Sequence, residues 1–157
     1  MSRAYNFLRE ISTMANDNTL KQSGSIIFWN GSNDSVGLNL PAEGSGESVS
    51  KTIVANHSKI EMSDIPSATT IKLVYRPAPD DWTVLSSITL RTTHRPASLN
   101  RTEYSYLLNT YAVGDFISEA LGVEVIAKKA GPSRQADVLA DHQIDCHVKL
   151  SSSPPSA

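Results

Sequence analysis

A chain of 157 residues is long enough to bury the core of one domain. Lys and Arg number 14 against 16 Asp and Glu, a formal charge of -2. That excludes a global basic field for holding nucleic acid and leaves only a local patch for the task. The single cysteine, Cys146, excludes an intrachain disulfide.

In chain order, the first ten residues lack the apolar core of about 7–15 residues that a signal peptide needs. No apolar run of roughly 18 residues predicts a membrane span. Tyr5, Leu8 and Ile11 recur at helical spacing, which fits either a short amphipathic helix or a loose arm. A polar linker follows to residue 24. Ser25–Asn30 and Ser35–Leu40 flank a turn at Asn30-Gly31 and predict a hairpin. Val49–Asn56, Ser58–Met62 and Thr69–Arg76 predict further strands. Pro77 and Pro79 stop the last of these, because proline cannot donate to a ladder. Trp82–Thr93 reads as one long strand, with Trp29 and Trp82 as core or interface residues and not stacking platforms.

The period then changes. Tyr104, Leu108, Ala112, Phe116 and Ala120 recur every four residues, and Val113, Ile117 and Leu121 widen the stripe. This predicts a long helix, capped at Ser98 or Asn100 and closed by Gly122. Val123–Ala127 is β-like or trails the helix, and Ile144–Leu150 reads as a last strand, at an edge. Residues 151–157 have the composition of a disordered tail.

The predicted fold class is therefore α+β: an antiparallel β-sheet with an N-terminal hairpin and a C-terminal helix covering one face. The chain divides into an arm (1–24), a sheet-plus-helix domain (25–127) and a C-terminal extension and tail (128–157). One helix is about 10 Å wide, too narrow for four or more strands at about 4.8 Å spacing. A homodimer supplies the missing cover, with Tyr104, Leu108, Phe116 and Ile117 in its interface.

Side chains alternate across a strand, so the helix-free face collects Lys59, Lys72, Arg76, Ser87, Thr89 and Arg91. Cations meet phosphates and hydroxyls reach base edges, which makes this face a candidate RNA surface. The plainer reading of the same pattern is a wet face charged for solubility.

No catalytic machinery is legible, and the expectation is a protein that is not an enzyme, without cofactor or metal. Asp80-Asp81 sits in a proline-rich turn. His142, Cys146 and His147 have loose metal-ligand spacing without a fourth partner. No G-x-S-x-G, P-loop or G-x-G-x-x-G string occurs.

The string from Thr70 to Pro79, a strand ending in a proline-rich turn before a long strand and a helix, resembles the coat proteins of single-stranded RNA bacteriophages. Ser25–Asn30 is similar to their opening strand. The resemblance covers roughly residues 25–126. It implies a coat protein that dimerises, closes into an icosahedral shell and packages viral single-stranded RNA on the helix-free face. It places the protein in the virion, assembled in the host cytoplasm, with no membrane partner. The alternative is a β-rich adhesion or carbohydrate-binding module, which calls for exposed aromatics in loops.

Overall fold

A computed structural model describes residues 24–132 and 142–152. The arm stripe of Tyr5, Leu8 and Ile11 lies outside the described residues, as does most of the tail. Ten strands and one short helix follow in order. They are β1 (Ser25–Asn30), β2 (Asp34–Asn39), β3 (Ser48–Val54), β4 (Lys59–Ile65), β5 (Thr70–Arg76), β6 (Ser86–Thr92) and β7 (Ala97–Glu103). Helix α1 (Tyr104–Thr110), β8 (Ala120–Leu121), β9 (Val123–Lys129) and β10 (Gln143–Lys149) complete the set among the described residues.

The strands form two five-stranded antiparallel sheets, ordered β2-β1-β4-β7-β8 and β3-β10-β5-β6-β9. This corrects the α+β expectation: the fold is a β-sandwich, and among the described residues no helix covers a sheet face. Two layers must bury one apolar face each. Ile26, Phe28, Ile60, Met62 and Leu99 of the first sheet share one buried cluster with Ile71, Leu73, Ile88, Leu90, Ile144 and Val148 of the second. The second layer thus comes from the same chain. The apolar surface that called for a second copy is already covered.

The predicted helix from Tyr104 to Leu121 is also corrected, since only Tyr104–Thr110 is helical. Residues 97–103, including the proposed caps Ser98 and Asn100, form β7, because Ala97 and Leu99 alternate inward against β4. Beyond Thr110 the backbone turns extended at Tyr111. Gly114, at φ 98°, takes a left-handed conformation that suits glycine and ends any helical continuation. Gly122 at φ 68° makes the tight turn from β8 to β9 instead of closing a helix. Lys128 Nζ donates to the carbonyls of Leu108 and Tyr111 at 2.9 and 2.7 Å, satisfying the end of α1 from β9.

Trp82–Thr93 is not one strand. Residues 82–85 are a loop and β6 begins at Ser86. The Thr83 amide donates to Asp81 Oδ1 at 3.0 Å, a side-chain turn that competes with the ladder. β10 lies beyond residue 127 yet pairs along its whole length with β3 on one side and β5 on the other. It is a central strand and not the edge strand predicted.

Candidate nucleic-acid interface

The outward side of the second sheet is built in register rows. Ser50, His147, Lys72 and Thr89 oppose one another across β3, β10, β5 and β6. The next row holds Ser48, Lys149, Thr70, Arg91 and Glu124. On the other side lie Thr52, Asp145, Val74, Ser87 and Lys129, then Val54, Gln143 and Arg76. Rows on one face recur every second residue, about 6.6 Å apart.

Of the residues singled out from sequence, Lys72, Ser87, Thr89 and Arg91 come together on this face. Lys72 and Arg91 are exposed, and Ser87 and Thr89 are half-buried. Neither Lys72 nor Arg91 has an ion pair or side-chain hydrogen bond to another described residue. Lys149 and Lys129 add charge while their ammonium groups rest on the carbonyls of Gly46 and Val84, at 2.7 and 2.6 Å. Glu124 opposes Arg91 directly. A shallow depression of about 330 Å³ lies at this end, lined by Ser67, Arg91, Thr93 and Glu124.

Arg76 belongs to the same face but is not available to a ligand. It is 3% exposed and pairs with Asp145 through Nε at 2.5 Å and Nη2 at 3.0 Å. Its Nη1 donates to the carbonyls of Ala78, Pro79 and Asp81 at 2.8, 3.3 and 3.2 Å. Thr52 donates to the same carboxylate at 2.8 Å. Burial alone raises the Asp145 carboxyl, but the Arg76 guanidinium and the Thr52 hydroxyl together hold it below its usual range.

Lys59 is separated from the rest. It lies on β4 in the first sheet, whose outer face points the other way. That face is closed on itself: Trp29 Nε1 donates to Glu61 Oε1 at 2.9 Å, and Arg101 stacks 3.6 Å from the Trp29 ring centroid.

Three of the four expected dimer-interface residues, Tyr104, Leu108 and Ile117, are buried within the chain. Burial pushes the Tyr104 phenol up to about 12, and its hydroxyl meets Ser86 Oγ at 2.9 Å. Only Phe116 is exposed, together with Val113, Leu121 and Tyr106.

The sequence reading of Trp82 as a core or interface residue within a strand is corrected on the core. It is not a core residue: it is 72% exposed, with the Arg76 guanidinium 4.2 Å from its ring centroid. The run Pro77 to Asp81 just before it is the signal that places it in a loop. Cys146 and His147 face opposite sides of β10, and His142 Nδ1 meets the Tyr75 hydroxyl at 2.8 Å, so these three do not converge. Burial and the neighbouring Asp145 push the Cys146 thiol up to about 12. No protein-family model, curated protein or solved structure matches this chain.

Proposed function

We propose that this chain is a viral coat subunit that binds and packages single-stranded RNA on the outer face of its second sheet. The sheet-plus-helix frame of the phage coat proteins is not carried over; the RNA-facing alternation is. One observation carries the reading: Lys72 and Arg91 stand exposed on adjacent strands, interleaved with Ser87 and Thr89, without described side-chain partners. A chain of net charge -2 has no other way to attract a polyanion than such a patch. Hydroxyls beside cations suit phosphate and sugar contact with modest base discrimination.

Assembly draws on a different region. Val113, Phe116 and Leu121, each more than half exposed, crowd one short segment before β9. Grouped apolar residues of this kind mark contact surfaces. Electron microscopy of the purified full chain tests the whole reading. Uniform shells with nucleic-acid absorbance are expected; small soluble oligomers without nucleic acid at every salt concentration contradict it.

A carbohydrate-binding module is the second reading, favoured by Trp82 exposed in a loop. Binding to a neutral glycan is insensitive to salt, whereas RNA binding on Lys72 and Arg91 weakens steeply with it.

A further inference from the structure

We infer that Trp82 is a stacking platform for an unpaired base, so that the face takes single-stranded RNA and not duplex. The inference rests on the RNA-binding reading above and adds to it the residue that selects an unpaired strand over a duplex.

An indole ordinarily buries most of its surface, yet this one stands 72% exposed. It is not loose. The loop before it is pinned from below by the three carbonyl contacts of Arg76 Nη1 and from within by the Thr83–Asp81 turn. Arg76 is itself fixed by Asp145, and Asp145 by Thr52. The guanidinium backs one side of the ring at 4.2 Å, and the ring's high exposure leaves the opposite side to solvent. The ordering cost of presenting an aromatic surface has thus been met by folding, which is what a preorganised binding group requires.

The location matters as much as the exposure. Arg76 alternates outward with Val74 and Lys72, so the ring lies over the same face as the free cations. Four residues of β5 separate Arg76 from Lys72, about 13 Å along the strand. A strand stacked at about 3.4 Å per nucleotide covers that distance in roughly four nucleotides. One base on Trp82 therefore leaves downstream phosphates within range of Lys72, with Arg91 one row further. Every base offers a π face, so this contact tolerates sequence. A duplex keeps its bases stacked on one another and offers none to the ring.

The test uses the full chain carrying Trp29→Phe, which leaves Trp82 as the reporting indole. Its fluorescence is titrated with an oligouridylate, a blunt RNA duplex and a neutral oligosaccharide. The single strand is expected to quench Trp82 and the duplex to bind more weakly without quenching. In the Trp29→Phe background, Trp82→Phe should keep most of the affinity measured by filter binding. Trp82→Ala should weaken it roughly 5- to 150-fold, the range set by one base–aromatic stack, without altering the salt slope. Unchanged thermal melting shows that both variants fold. If Trp82→Ala binds like its parent while Lys72→Ala/Arg91→Ala does not, the platform is wrong and the RNA reading stands. If neither RNA binds, both fall. Quenching by the oligosaccharide alone assigns Trp82 to a glycan and overturns the inference.

Discussion

Arg76 and Lys72 sit four residues apart on the same outward side of β5 and have opposite fates. Alternation places both on that side, and this much is legible in the sequence. What separates them is Asp145, 69 residues away, which β10 brings opposite Val74, beside Arg76. A buried pair missing one member leaves an uncompensated charge. Asp145→Ala should therefore cost about 3–5 kcal/mol in chemical denaturation, and Arg76→Met/Asp145→Leu should recover most of it. The pair also sets a pH dependence. The folded Asp145 carboxyl lies below its unfolded value, so its contribution is complete above the unfolded value and is lost as pH falls through the folded one. Thermal melting from pH 7 into the acid range should show this loss, and Asp145→Asn should flatten that part of the curve while lowering stability at neutral pH.

At the scale of elements, β1 coincides with its predicted bounds and β3, β4 and β5 fall within a few residues of theirs. Each is a short alternating run between turn residues. The long helix was misread for a physical reason. Its four-residue apolar repeat is assembled from α1, an extended loop and the start of β8, and no local pattern distinguishes that from one continuous stripe. The distinction is testable. Leu108, 1% exposed, should cost about 2–5 kcal/mol on change to Ala, whereas Phe116→Ala, at 57% exposed, should stay within about 0.5 kcal/mol. Urea unfolding of both variants decides between one buried stripe and a split one. The place of β10 was equally hidden, because strand pairing across the connection from β9 is a non-local property. Deleting residues 128–157 removes β10, the strand that joins β3 to β5, and should leave a chain without cooperative unfolding by circular dichroism.

The whole molecule closes its core with two sheets from one chain, and that changes what association is for. In the proposed reading, contact between copies uses the exposed segment around Phe116 and leaves the charged face of the second sheet to RNA. A sandwich by itself implies neither role, since one architecture hosts many functions. The functional claim therefore rests on the face: two exposed cations without described side-chain partners, hydroxyls in register and a preorganised indole. The measurement that reaches it most directly is filter binding of single-stranded RNA across a salt series, comparing the wild type with Lys72→Ala/Arg91→Ala. Arg76 is left intact so that lost binding is not confused with lost folding. The account predicts weaker binding in the double variant and a log–log salt slope shallower by about 1.4, from two single-strand phosphate contacts at about 0.7 each. Equal affinity and an equal slope in the two proteins would contradict it.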